Sequence, residues 1–206
     1  MKVSDLVERF WSLRSGVSYR CKYLGHERHY QDEVVAYQAS DGPRSVWLLH
    51  GHDIAVYYPR QELVVADDWG YKTNLTYSRL NAIFWRVGLS FFRMFLCGFF
   101  VYGFMRDHET DTYYLMPPGG LKIHLRTREV RHGDGDEMFL LRIPGYFFDE
   151  FEKTVRYLGK KYELTLDRIL SGDIPREVER RLRRRTKEKI GLIRLLGTEI
   201  PATAAR

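Results

Sequence analysis

The stretch Leu89-Ser90-Phe91-Phe92-Arg93-Met94-Phe95-Leu96-Cys97-Gly98-Phe99-Phe100-Val101-Tyr102-Gly103-Phe104-Met105 decides the fold class. Read as one helix, it is a membrane span. Read as two strands, it is the heart of a sheet. Its 17 residues fall short of a span and carry Arg93 near the middle, whereas a spanning helix needs about 20 apolar residues and few charges. Phe, Val and Tyr dominate the run, and these residues favour strands. Cys97-Gly98 supplies a tight turn. The stretch therefore predicts two buried strands, 89–96 and 99–105, folded as a hairpin, and no membrane helix.

Strand signals continue on both sides. Glu33 to Ala39 and Ser45 to Leu49 are β-rich runs joined by the turn cluster Ser40-Asp41-Gly42-Pro43. Asp53 to Tyr58 and Glu62 to Ala66 repeat the arrangement across Pro59-Arg60-Gln61. Beyond the hairpin, Tyr113 to Met116 is a short strand and Pro117-Pro118-Gly119-Gly120 a break. Leu121 to Val130 alternates apolar and polar as one half-buried strand, and Gly133-Asp134-Gly135-Asp136 turns it back into Met138 to Ile143.

Helical spacing appears at the edges and once inside. Leu6, Phe10 and Leu13 share a face, with Ser4 as the expected N-cap. Leu80, Ile83, Phe84 and Val87 share another, over Tyr77 to Val87, with Thr73 and Thr76 placed to cap it. Arg79 and Asn81 are read as tying that helix start to the preceding turn. Phe147, Phe151, Val155 and Leu158 give a helix over 146–161; a short one over 165–170 and a longer one from Asp173 to Leu196 follow. The prediction is an α+β fold: a mainly antiparallel sheet with an N-terminal helix, one inserted helix and a helical C-terminal region. An α+β domain over 1–144 and a helical region over 145–200 meet at Pro144-Gly145, and 201–206 is a disordered tail.

The 206 residues suffice for a full core without disulfides or metal. Cys21 and Cys97 form no CxxC pair, and no secretory pattern precedes them. Both are expected as reduced thiols in a cytoplasmic protein, in the host cytoplasm if the chain is viral.

Asp67-Asp68-Trp69-Gly70-Tyr71-Lys72-Thr73-Asn74-Leu75-Thr76-Tyr77-Ser78-Arg79-Leu80-Asn81 resembles a segment of uncharacterised tailed-bacteriophage proteins. There a strand leads to a Gly/Trp turn, a Thr-rich stretch, and Arg-Leu-Asn opening a helix. The likeness extends over about 45–125. It departs at Leu75 and in the order of Trp69 and Gly70. It implies a viral or mobile-element origin and no particular activity.

Chemical signatures are sparse. His50-Gly51-His52-Asp53 places two imidazoles at i and i+2, a spacing that shares a face on a strand, so His50, His52 and Asp53 are weak metal candidates. His26, His29, His108, Asp111 and His124 are scattered, and a metal needs three or four converging ligands. Arg131-His132-Gly133 resembles the opening of histidine phosphatases. It lies between strands here, however, and no later histidine follows. No phosphate loop, serine elbow, zinc finger or dinucleotide fingerprint is present. No cofactor is expected, and an enzyme is the class with least support.

The net charge is +6, and it is concentrated. Residues 176–194 hold nine cations against Glu177, Glu179 and Glu188, a net of +6, so the rest of the chain balances to zero. Arg176, Arg180, Arg181, Arg183, Arg184, Arg185, Lys187 and Lys189 crowd the expected helix. Arginine forks suit phosphate oxygens, which points to the nucleic-acid backbone as partner. An acidic protein surface, self-association into an oligomer, or a plainly solvated face fits the same pattern. Two functions remain open: a non-enzymatic nucleic-acid-binding accessory protein of a phage or mobile element, or a structural or inhibitory interaction component, such as a virion part or modulator of a host machine.

Overall fold

The structure, a computed structural model, describes residues 1–20, 30–96, 100–133, 140–171 and 173–175, with Glu188 and Gly191. In chain order the elements are α1 (Val3–Trp11), β1 (Gly16–Arg20), β2 (Tyr30–Ala39), β3 (Gly42–Leu49), β4 (His52–Tyr58), β5 (Leu63–Ala66) and α2 (Asn74–Phe84). They continue as β6 (Leu89–Leu96), β7 (Phe100–Asp107), β8 (Thr112–Leu115), β9 (Leu121–His124), β10 (Val130–His132), β11 (Arg142–Pro144), α3 (Gly145–Tyr162) and α4 (Leu166–Ser171). The strands form two antiparallel sheets, so the class is α+β. Within the deciding stretch, 89–96 and 100–105 are strand, and the expected turn at Cys97-Gly98 lies outside the described residues. No helix among the described residues is long and apolar enough to cross a membrane.

The chain divides into two units, each made of two stretches: Met1–Phe91 with Met116–Asp136, and Phe92–Leu115 with Glu137–Arg206. Pro144 and Gly145, where the sequence suggests a boundary, lie inside the second unit, and there β11 runs directly into α3.

The first unit is a seven-stranded sheet in the order β1-β2-β3-β4-β5-β9-β10. Alternation sorts its two faces. Val34, Trp47, Ala55, Ala66 and Leu121 lie opposite one another across five strands and are all buried. Leu6 and Phe10 of α1 and Leu80, Ile83 and Phe84 of α2 are fully buried in this unit as well. Burial of one such side chain contributes about 2 kcal/mol. The Trp11 indole nitrogen donates to the Ile83 carbonyl at 2.9 Å, tying the two helices together.

Several local expectations change. Helix α1 starts two residues early, because the Asp5 carboxylate accepts from the Lys2 amide at 3.2 Å; Ser4 lies inside the helix. Thr73 caps α2, its hydroxyl accepting from the Thr76 amide at 3.1 Å. The alternating run 121–130 is two strands and not one. Arg128 takes a left-handed backbone (φ 58°) and its amide returns to the His124 carbonyl at 2.9 Å, so β10 folds back on β9. Of the stretch 138–143 expected to pair with it, Arg142 and Ile143 belong to β11, which pairs with β8 in the other sheet; the expected turn residues Asp134, Gly135 and Asp136, with Met138, lie outside the described residues.

The second unit is the four-stranded sheet β11-β8-β7-β6 with α3 and α4. Its core holds Met94, Phe104, Leu141, Ile143, Phe148, Phe151, Val155 and Leu158. Phe148 stacks on Tyr113 with centroids 3.8 Å apart, and Phe147 is only partly buried, so the apolar stripe of α3 starts one residue later than its spacing suggests.

Candidate functional site

The segment between β5 and α2 is built by its own two aspartates. Asp67 Oδ1 accepts from the Trp69 amide at 2.8 Å, and Asp68 Oδ1 accepts from the Gly70 amide at 2.9 Å. Short acidic side chains commonly fold the following backbone in this way. Here they hold Trp69 and Gly70 in consecutive left-handed conformations, φ 49° and 74°. Asp68 is itself buried and also accepts from the Tyr77 hydroxyl at 2.7 Å, which fixes the turn to α2.

This turn pushes two large rings outward. Trp69 is 49% exposed and Tyr71 55%. The His52 ring lies beside both, with centroids 5.4 Å from Trp69 and 5.2 Å from Tyr71. The Trp69 indole nitrogen donates to the Asp53 carbonyl at 3.1 Å, anchoring the ring to the start of β4. The result is a row of three rings.

Beside Trp69 lies a half-open groove of about 720 Å³. Strand register explains its floor. Val56, Val65 and Lys122 stand side by side across β4, β5 and β9, so they share a face. Asp53, Asp67 and Lys72 line it too, and Pro118, Gly119 and Gly133 approach from the β9–β10 side. Lys72 Nζ is 3.9 Å from Asp68. Among the described residues the Asp53 carboxylate accepts no hydrogen bond and Lys122 makes no ion pair. Tyr58 closes one side, with the Arg44 guanidinium 4.8 Å above its ring. Burial pushes the Tyr58 phenol up from its ordinary value, and Arg44 opposes that in part.

Neither histidine of the pair lines that groove. His50 and Gly51 form the two-residue turn between β3 and β4, with φ 54° and 82°. A turn of that kind needs positive φ at both positions, so His50 is not on a strand and shares no strand face with His52. Both imidazoles, with Leu49, Tyr71, Thr76 and Asp68, line a small cavity of about 190 Å³. Asp53 lines the larger groove instead. No group of three or more His, Cys, Asp or Glu among the described residues is placed to hold a metal. His132 is buried on β10, and Arg131 beside it pairs with Glu129 at 2.6 Å.

Arg176, Arg180, Arg181, Arg183, Arg184, Arg185, Lys187 and Lys189 lie outside the described residues, as do Cys21, His26, His29, Cys97 and the tail 201–206. Glu188 and Gly191 within that basic stretch are helical. The ring row is the feature that spacing alone does not reveal. Its available signal is Asp-Asp ahead of Trp-Gly-Tyr, two turn-forming acids ahead of aromatics. No protein-family model, curated protein or solved structure matches the chain.

Proposed function

We propose that the protein is a non-enzymatic nucleic-acid-binding accessory protein of a phage or mobile element, gripping backbone phosphates through the basic stretch from Arg176 to Lys189. The observation that carries this is the segregation of charge: residues 176–194 hold the entire +6 excess of the chain. Pairing within the described residues supports it. Arg44 meets Asp41 at 2.6 Å, Arg79 meets Asp32 at 2.8 Å, and Arg86 meets Glu8 at 3.4 Å. Arg106, Arg156 and Arg168 meet Asp111, Glu152 and Asp173 at 2.7 to 2.9 Å. Many cations of the described residues are thus compensated by neighbouring acids, and the field available to a polyanion comes from the basic stretch.

The test is fluorescence anisotropy of the full chain with labelled single strands and duplexes over a salt series. Binding weakens steeply with salt, log K falling in proportion to the number of phosphates neutralised. Replacing Arg180, Arg181, Arg183, Arg184 and Arg185 by Gln reduces the single-strand slope by up to about 3.5, at roughly 0.7 for each phosphate no longer neutralised. Salt-insensitive binding, or no binding to any strand, removes the proposal. Recovery of a stoichiometric acidic protein in place of nucleic acid moves the basic stretch to the interaction-component reading.

A further inference from the structure

We infer that the groove beside Trp69 takes one unpaired nucleotide of a single strand, with the base on the indole, an amino group of the base on Asp53 and a backbone phosphate on Lys122. This rests on the nucleic-acid reading and names the strand state that the reading leaves open.

Three groups with unspent chemistry line one groove. The Trp69 indole is half exposed. The Asp53 carboxylate accepts no hydrogen bond, and the Lys122 ammonium has no ion-pair partner, among the described residues. A ligand that satisfies all three needs a planar face, a hydrogen-bond donor and an anionic oxygen. A nucleotide has each. Bases stack on aromatic rings without regard to identity, because every base has a π-face. A carboxylate only accepts, so it selects a donating base edge, as with the amino group of cytosine. An ammonium meets phosphate as a point charge. In a duplex the faces are stacked and the pairing edges occupied, so only an unpaired base offers these groups together.

The site is also built. Trp69 is held at φ 49° by the Asp67 carboxylate and anchored through its indole nitrogen to the Asp53 backbone. A non-glycine residue in that conformation carries strain, and strain of this kind concentrates at functional positions. The groove's volume of about 720 Å³ falls within the range of about 300–1,000 Å³ usual for ligand sites. Tyr71, exposed on the other side of His52, offers a second surface for the neighbouring base.

The experiment measures anisotropy of the full chain with labelled 12-nucleotide oligo(dC), oligo(dT), an abasic strand of equal length and a 12-base-pair duplex, at one fixed salt concentration. The wild type binds oligo(dC) more tightly than oligo(dT), and both more tightly than the abasic strand. Trp69→Ala loses roughly tenfold on oligo(dC), the effect of one stacked base, and leaves the abasic strand and duplex unchanged. Trp69→Phe restores most of the loss, and matching thermal melts show that both variants fold. Asp53→Asn removes the preference for oligo(dC) over oligo(dT). If the abasic strand binds as tightly as oligo(dC), or Trp69→Ala leaves oligo(dC) binding unaltered, the groove assignment fails while the phosphate grip stands. If no strand and no duplex binds, both fall together.

Discussion

Arg79 and Asp32 are 47 positions apart in sequence and meet inside the first unit. The Arg79 Nε donates to both carboxylate oxygens, at 2.8 and 3.0 Å, and the Trp47 indole nitrogen donates to the same carboxylate at 3.2 Å. Both partners are buried. Removing one partner of such a pair leaves an uncompensated charge in a poorly solvating place, at about 3–5 kcal/mol. Asp32→Ala is therefore expected to lower the urea midpoint by that much free energy. The double variant Asp32→Leu with Arg79→Met recovers a large part, read from a double-mutant cycle in the same denaturant. Asn81 follows a similar logic with a neutral group. Its amide donates to the Phe91 carbonyl at 2.7 Å and its oxygen accepts from the Phe91 amide at 2.7 Å. Asn81→Ala breaks both bonds and is expected to cost about 2 kcal/mol. The sequence places Arg79 and Asn81 at the start of a helix and suggests they brace the turn before it. They brace instead β2 and the start of β6, because long polar side chains on a buried helix face reach whatever the tertiary fold brings opposite.

At the scale of elements, the close approach of β5 and β9 depends on Gly120. It has φ 75°, and a Cβ there would run into the Ala66 carbonyl. Gly120→Ala is expected to destabilise by more than about 1 kcal/mol, and hydrogen exchange is expected to show the loss first at the β5–β9 ladder. The Pro-Pro-Gly-Gly break is legible in the sequence; the reason for its second glycine is not, since the obstructing carbonyl lies 54 positions earlier in the chain. Helix α3 is the opposite case. Its apolar stripe is plain from spacing, and it buries Phe148, Phe151, Val155 and Leu158 in the core of the second unit. A fragment ending at residue 144 strips that helix from its sheet and leaves Phe104 and Ile143 without cover. Such a fragment is expected to bind ANS strongly and to aggregate, measured by dye fluorescence and light scattering against the full chain.

Across the whole molecule, four phenols partly shielded from water, Tyr114 the most deeply, weigh on stability at alkaline pH. Burial pushes Tyr57, Tyr58, Tyr113 and Tyr114 up, because the phenolate is the poorly solvated form, and Arg142 only partly offsets this at Tyr114. The folded chain thus holds these protons more tightly than the unfolded one. The stability they supply is fully present below about pH 10, the unfolded value. It is lost as pH rises through the higher folded values. The urea midpoint is expected to fall above about pH 10, and Tyr114→Phe to flatten part of that fall.

What the sequence determined by itself is everything set by local period and composition. That includes the strand character of 89–96 and 100–105, the helical stripes of α1, α2 and α3, the α+β class, and the concentration of net charge in 176–194. These are legible because backbone geometry repeats every two or 3.6 residues and side chains follow it. Only the tertiary structure decided that 121–130 folds back as two strands and that β11 joins a different sheet from β10. It also decided that Trp69, His52 and Tyr71 line up beside a groove holding Asp53 and Lys122. Those features depend on strand register and on packing between residues far apart in the chain, and register is fixed by the fold as a whole.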